Sequence, residues 1–320
     1  MLRGMLEEHQ DATTVIPVKA ALKPEETLSV CILGSGTVGG SVGMGLSRFG
    51  NKVIFYDVDR ERVESLINLG FSATIDADVA IRDSQISFIC VPTPTVHGSI
   101  DLGYVRSVAR EIGKSLRKKA DFHLVVVKST VLPRTTENVV IPLLEKHSRR
   151  TAGEDFGVCV NPEFLTQLHH SWTGDRSFAR SFLDEPFVVI GELDEKCGDA
   201  LQEVYEPLKA PVIRTDLRTA EMTKYAFNCA LACRISFWNE IFYICRRLNI
   251  DSRVVASTAA LDERVGTYGA VHGMAFGGKC LPKDLRAFVS FSQESGYEPE
   301  LLKATEKINA RTGKEFGVRE

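Results

Sequence analysis

Between Ser29 and Phe49 the chain runs from a β-favouring stretch, Ser29-Val30-Cys31-Ile32-Leu33, straight onto Gly34-Ser35-Gly36-Thr37-Val38-Gly39. It continues with Val38, Val42, Leu46 and Phe49 at spacings of three and four. A short apolar run without polar alternation suits a strand buried on both faces. The spacing that follows suits an amphipathic helix. Joined without a spacer, the two predict the first strand–turn–helix of an α/β, doubly wound parallel sheet. In such a turn the first glycine permits the tight bend, the second lets backbone approach a pyrophosphate, and the third allows close helix–strand packing. The helix start offers unpaired N–H groups and a positive dipole end. A second strand, Lys52-Val53-Ile54-Phe55-Tyr56, ends on Asp57, 18 residues after Gly39. A carboxylate there accepts from ribose hydroxyls and repels a 2′-phosphate, which selects NAD over NADP. The expected cofactor contacts of this turn are Gly34, Gly36, Thr37, Val38, Gly39 and Asp57.

The alternation persists. Strands are expected at Ile86–Val91, His123–Lys128, Phe156–Val160, Phe187–Ile190 and Val212–Arg214, and helices at Arg60–Leu69 and Tyr104–Leu116. After Asp216 the pattern changes, for Thr219–Asn249 contains neither Pro nor Gly. That predicts one long helix of roughly 45 Å, at 1.5 Å per residue. Further helices are expected at Ser252–Leu261, Leu285–Ser295 and Pro299–Arg311. The chain is therefore divided into an N-terminal arm at 1–27, polar and carrying Pro17 and Pro24, a Rossmann-like NAD-binding domain at 28–215, and a mainly helical domain at 216–320.

Composition narrows the class. The formal charge of −3, from 39 basic and 42 acidic residues, provides no basic field for nucleic acid or an anionic membrane. No apolar run approaches the roughly 20 residues of a membrane-spanning helix, and the first residues lack the apolar core of a secretion signal. Eight cysteines without a small-domain framework read as reduced thiols in the cytoplasm.

Two patterns carry chemistry. Lys224 and Asn228, spaced i, i+4, share one face of the long helix, where an ammonium and a carboxamide can polarise an oxygen that gains negative charge. Such a pair on a solvated face would do nothing. Cys229 and Cys233, at the same spacing, lack partners for a metal site and read as packing, and His169-His170 read as loop surface. The other pattern is Phe276-Gly277-Gly278-Lys279-Cys280-Leu281-Pro282-Lys283-Asp284. Two glycines allow a tight loop, and the lysines around Cys280 favour the nucleophilic thiolate. Asp284 is placed to orient water or act as a base.

Taken in order, the Gly34–Gly39 turn, Val91-Pro92-Thr93-Pro94, Lys128-Ser129-Thr130-Val131, Asn161-Pro162-Glu163-Phe164-Leu165, the Lys224/Asn228 helix, Asp262-Glu263-Arg264-Val265-Gly266 and Phe276–Asp284 resemble the UDP-glucose/GDP-mannose 6-dehydrogenase family. The resemblance runs from about residue 28 to Asn309. It implies NAD-dependent oxidation of a sugar C6 alcohol to a carboxylate, through a cysteine thiohemiacetal and thioester. Cys280 would be the nucleophile, Lys224 and Asn228 the oxyanion partners, Asp284 a proton-transfer or water-positioning group, and Glu163 and Thr130 assistants in water and proton handling. Val91, Pro92, Thr93, Ser129, Thr130 and Glu163 would join the turn in contacting NAD. Glu163, Phe164, Leu165, Lys224, Asn228, Arg264, Phe276, Gly277 and Cys280 would meet the substrate, an alcohol or nucleotide sugar. The long helix, with Phe237, Ile241, Ile244 and Leu248 on one face, would build a homodimer.

This chain also departs from the family pattern. Thr166-Gln167-Leu168 replaces the usual acidic continuation, so an amide stands at the second carboxylate, and Leu168–Asp184 carries Arg and His where the family is more acidic. Arg134 stands where the family usually has Gly. The sequence stops where the family's third α/β domain, which closes over the nucleotide, would start: either it is a fragment or the domain is lacking, and in the second case remote binding energy would be weakened. Two other readings remain: a two-electron β-hydroxyacid-type dehydrogenase, which also uses a helix-borne Lys and Asn but needs no cysteine, and a catalytically silent NAD-binding regulatory paralogue. No metal site is expected.

Overall fold

The computed structural model describes residues 14–16, 27–96, 98–165, 172 and 181–319. Its strands are β1 (Thr14–Ile16), β2 (Ser29–Leu33), β3 (Lys52–Tyr56), β4 (Ser72–Thr74), β5 (Ile86–Ile89), β6 (Thr95–Val96), β7 (Ser99–Ile100), β8 (Leu124–Val127), β9 (Gly157–Val160), β10 (Val188–Glu192), β11 (Val212–Asp216), β12 (Ala275–Phe276) and β13 (Val318–Arg319). The helices are α1 (Thr37–Arg48), α2 (Arg60–Asn68), α3 (Ala77–Arg82), α4 (Gly103–Leu116), α5 (Ile141–Ser148), α6 (Glu195–Tyr205), α7 (Leu217–Leu248), α8 (Ser252–Ala259), α9 (Leu281–Glu294) and α10 (Glu300–Phe316).

Nine strands form one sheet in the order β1-β11-β10-β9-β8-β5-β2-β3-β4. All neighbours are parallel except β1 with β11 and β9 with β10. The central strands β5, β8 and β9 are buried at every residue, which is why Leu124-Val125-Val126-Val127 shows no alternation. Helix starts are fixed by aspartates: Asp59 accepts from Glu61 and Arg62 N–H at the start of α2, and Asp76 from Asp78 and Val79 N–H at the start of α3. The expected α/β doubly wound sheet and the long helix are both present. The sequence pattern missed β1, a strand at the sheet edge that lies inside the expected arm and pairs antiparallel with β11. A three-residue strand is too short to show a period.

The described residues divide into two compact units. One comprises Met1–Thr93, Leu102–Phe164 and Phe182–Met222; the other comprises Pro94–Asp101, Leu165–Ser181 and Thr223–Glu320. In the first, the sheet receives the opening turns of α7 closely, for a Cβ at Gly191 of β10 would lie 2.5 Å from the Ala220 Cβ. The second is built on α7 and centres on buried Trp172, Cys229, Ala232, Ile235, Phe276, Leu285 and Val289. Tyr225 stacks there on Phe288 with ring centroids 5.3 Å apart. At 32 residues, α7 is about 48 Å long. Among the described residues no helix is long and apolar enough to cross a membrane, and no cluster of His, Cys, Asp and Glu could hold a metal.

A strained stretch follows β8. Arg134, where the resemblance leads one to expect glycine, has φ +72°, a left-handed backbone that a side chain disfavours by about 1–2 kcal/mol. One π-helical turn then runs from Thr136 to Val140. The Thr136 N–H donates to Glu221 Oε1 at 2.8 Å. Glu221 is buried on α7, and burial pushes its carboxyl from 4.5 up to about 7 against the opposing hydrogen bonds from Thr136 and Arg134. Glu221 Oε2 and Thr136 Oγ1 complete no geometrically good hydrogen bond; a proton on Oε2 would supply the missing donor.

Between pH 4.5 and 7 the folded protein holds this proton and the unfolded chain gives it up, so the group's contribution to stability falls as pH rises through that window. Glu221→Gln keeps the acceptor for Thr136 and removes the cost of ionisation, about 1.4 kcal/mol per pKa unit. In urea titrations the variant is expected to be more stable than the parent at pH 8, by a margin that shrinks towards pH 5.

Candidate active site

In the first unit the loops after β2, β3, β5, β8 and β9 leave the same, carboxyl edge of the sheet. The order reverses between β2 and β5, where open α/β sheets take their ligands. Gly34 has φ +97°, and a Cβ on it would lie 2.8 Å from the Cys90 carbonyl oxygen. On Gly39 a Cβ would come within 1.9 Å of the Gly34 oxygen, so α1 can start against the turn only with glycine there. Gly36 caps α1 without any side-chain hydrogen bond, which leaves the N–H groups around Thr37 and Val38 free for an anion. A cleft of about 410 Å³ opens beside them, lined by Gly36, Thr37, Gly40, Ser41, Met44 and Arg62 among others.

Asp57 stands at the end of β3 as expected, but it is already busy. Its Oδ2 accepts the Ser35 N–H and hydroxyl, both at 2.8 Å, and its Oδ1 accepts the Asp59 N–H at 3.1 Å. Arg62 lies 3.6 Å away. Burial raises the carboxyl's pKa, but these hydrogen bonds and Arg62 outweigh it and hold it below the ordinary value. Two carboxylate oxygens have about four acceptor positions, so Asp57 braces the turn and retains room for a ribose hydroxyl.

The other expected NAD contacts tie neighbouring loops together. Thr93 Oγ1 donates to the Thr130 carbonyl at 2.8 Å, and Ser129 Oγ to that of Val91 at 2.7 Å. Pro92 is exposed between them. Lys128 is 1% exposed and donates to Asn161 Oδ1 at 2.8 Å, to Tyr205 OH at 3.3 Å and to the Pro162 carbonyl at 3.5 Å. Its ammonium thus fastens the loop that presents buried Glu163 and Phe164. Nothing in the local pattern marks Lys128 as more than part of a motif; the signal would have been a lysine inside an otherwise apolar strand end. A nearby group that looks reactive is sealed. Ser87 Oγ lies 2.7 Å from His123 Nε2 and 3.0 Å from Cys31 Sγ, yet burial pushes the thiol up to about 11 and holds the imidazole down at about 3.

In the second unit, Lys224 and Asn228 are each 5% exposed on α7, so the solvated-face alternative fails. Asn228 Nδ2 donates to Asp284 Oδ2 at 2.6 Å, and Lys283 Nζ to Asp284 Oδ1 at 2.5 Å. Asp284 is 1% exposed in the first turn of α9, and its N–H donates to the Cys280 carbonyl at 2.9 Å. Cys280 occupies the cap position of α9. It is exposed, whereas Cys233 is partly buried and the other six thiols are buried. Burial pushes those of Cys90, Cys197 and Cys229 up to about 12. Lys283, expected to flank the thiol electrostatically, is committed to Asp284. Phe276 packs into the core and the Gly277 N–H donates to the Arg319 carbonyl. Arg264 is not gathered here: its side chain is 90% exposed and forks onto Asp262 at 2.7 and 3.0 Å. Leu165 is half-buried. Gln167, His169-His170 and, apart from Trp172 and 181–184, the Leu168–Asp184 segment lie outside the described residues.

A glycine turn at the switch point of a parallel sheet, together with a helix-borne Lys/Asn pair beside an exposed cysteine, defines a dinucleotide-dependent dehydrogenase class. Sequence comparison makes it specific. Residues 67–209 match the NAD-binding domain of the UDP-glucose/GDP-mannose dehydrogenase family, and residues 218–311 match its central domain. The chain belongs to that family. It is 39% identical over 307 residues to the GDP-mannose 6-dehydrogenase of Pseudomonas aeruginosa, covering 88% of this chain and 68% of that protein. With the UDP-glucose 6-dehydrogenase of Haloferax volcanii it shares 35% identity over 88% of this chain and 69% of the relative. The solved UDP-glucose dehydrogenase of Pyrobaculum islandicum superposes with a TM-score of 0.83 at 33% identity, covering 92% of this chain and 70% of that one. NAD is the cofactor, and the free N–H groups, close glycines and adjoining cleft fit it.

The 1.9 Å approach at Gly39 provides a test. Gly39→Ala is expected to lower NAD affinity at least tenfold, about 1.4 kcal/mol, in isothermal titration calorimetry.

Proposed function

We propose that this chain oxidises the C6 alcohol of a nucleoside-diphosphate sugar to the carboxylate, using Cys280 to hold the half-oxidised substrate as a thioester. The observation that carries the reading is Cys280, exposed at the start of α9, whose first turn holds buried Asp284 bonded to buried Asn228 and partly exposed Lys283. NAD, when bound, takes up a hydride at each of the two oxidations. The Cys280 thiolate adds to the aldehyde carbon, forming a C–S bond and an oxyanion that Lys224 and Asn228 stabilise. Loss of the second hydride leaves a thioester. Water, handled by Glu163 and Thr130, then displaces the thiol and yields the carboxylate. A covalent tether is needed because a free aldehyde could leave while the cofactor exchanges. Asp284 accepts from Asn228 and Lys283 and so orients the Asn228 amide, and its remaining acceptor positions can position water or take part in proton transfer. Leu165, Phe276 and Gly277 complete the proposed substrate contacts, with Arg264 standing apart on Asp262, and Gly34–Gly39 and Asp57 complete those for NAD.

The relatives named as acting on GDP-mannose and UDP-glucose define the substrates to try first. The protein is expected to release two NADH per sugar consumed, and Cys280→Ala to lose acid formation by at least a thousandfold. Full activity in Cys280→Ala would sink the thioester, and one NADH per alcohol with a carbonyl product would establish the two-electron reading instead.

Pairing of two copies along α7 accounts for apolar side chains that a monomer would leave wet. Phe237, Ile244 and Leu248 are 53, 49 and 63% exposed, with Ile241 partly buried between them. Sedimentation of Phe237→Glu should show dissociation to monomers if this face joins a homodimer.

A further inference from the structure

The segment leading to Cys280 is a strand, β12, with one strand neighbour among the described residues. Along one edge, the Ala275 N–H donates to the Gly317 carbonyl at 3.1 Å and the Gly277 N–H to that of Arg319 at 3.0 Å, which is the pairing with β13. The other edge is met by two asparagine side chains. On α10, Asn309 Oδ1 accepts the Phe276 N–H at 2.8 Å while its Nδ2 donates to the Phe276 carbonyl at 3.0 Å. On α7, fully buried Asn239 accepts the Gly273 N–H at 2.7 Å and donates to the Met274 carbonyl at 2.9 Å. A carboxamide carries an acceptor and a donor on one planar group, as a neighbouring strand does.

The two helices that bring these amides are themselves cross-linked. Ser236 Oγ, three residues before Asn239, donates to the carbonyl of Thr305, four residues before Asn309, at 3.1 Å. Gly278 has φ +75°, and a Cβ there would meet nothing within 4 Å. Cys280 is therefore located from two sides, by the start of α9 after it and by the clamped Phe276 before it.

We propose that Asn309, backed by Asn239, is a positioning residue for the nucleophilic turn Gly277–Cys280: its amide replaces a missing β-strand and fixes where the Cys280 sulfur is presented. This rests on Cys280 being the nucleophile. The chemistry requires asparagine. An aspartate keeps the acceptor for the Phe276 N–H but sets negative charge against its carbonyl, and alanine leaves both groups unpaired.

The test compares Asn309→Asp and Asn309→Ala with the parent in the full chain, with Asn239→Asp as a second approach to the same edge. Amide hydrogen exchange across residues 274–280 is expected to quicken at least tenfold while α9 keeps its protection. The kcat is expected to fall at least tenfold with KM for NAD within about threefold. Alkylation of Cys280 by iodoacetamide, read by peptide mass spectrometry, should slow at least threefold as the sulfur leaves the helix start. Thermal melts identify any variant that fails to fold, and the remaining ones decide. Parental exchange at 274–280 overturns the inference, as does quickened exchange with unchanged kcat and alkylation. If the parent protein itself oxidises no nucleotide sugar, or Cys280→Ala stays fully active, the proposed function fails, while exchange and alkylation still decide the role of Asn309.

Discussion

The close approach of Gly39 to the Gly34 carbonyl is the constraint on which the first unit depends. A helix starting this near the end of its strand leaves its own first N–H groups unpaired, and side-chain oxygens normally cap such a start. Here Gly36 supplies none. The nearest acid, Asp57, spends most of its acceptor capacity on Ser35 and Asp59 rather than on α1. The unpaired donors therefore persist as a binding surface for an anion, stabilised by the surrounding sheet. Local instability at the helix start is the source of affinity for a pyrophosphate.

Buried charge is handled differently in each unit. Lys128 is enclosed by neutral acceptors, with Asn161, Tyr205 and Pro162 satisfying it and no carboxylate bonded to it. A buried cation without a counter-ion is costly unless fully hydrogen-bonded, and that need binds the Asn161–Phe164 loop to the end of β8. Asp284 instead has a true counter-ion in Lys283 and a neutral donor in Asn228. Asp284 accepts from both, and Asn228 is held in one orientation on α7. In both cases the polar group is buried to fix a neighbour's geometry, at positions where an apolar residue would pack as well but specify less.

Local periodicity showed most of the sheet and the long helix, because buried parallel strands and a breaker-free helix leave strong one-dimensional signatures. Glycine spacing and the single acid at Asp57 made the cofactor turn legible for the same reason. The roles of Asn239 and Asn309 were not legible. Each sits on a helix among ordinary residues, and its partner lies 33 to 35 positions away in sequence. Lys283 misled, because charge near Cys280 in sequence became a salt bridge to Asp284 in space. Arg134 could be flagged only against the family's glycine, and its φ of +72° gives the physical reason for that glycine.

These observations separate two demands on a four-electron oxidation. Hydride transfer needs a cofactor held firmly yet released between steps, which suits a turn whose binding groups are backbone donors with little to reorganise. On the proposed thioester route, retaining the intermediate needs a sulfur whose position does not drift during that exchange. A surface cysteine on a glycine-rich loop would be a poor choice on its own, since the loop's freedom works against it. The chain answers by anchoring both ends of a very short loop, at Phe276 through β13 and Asn309 and at Leu281 through α9. On that proposed route two glycines pass backbone close to a substrate while the Cys280 sulfur stays in place.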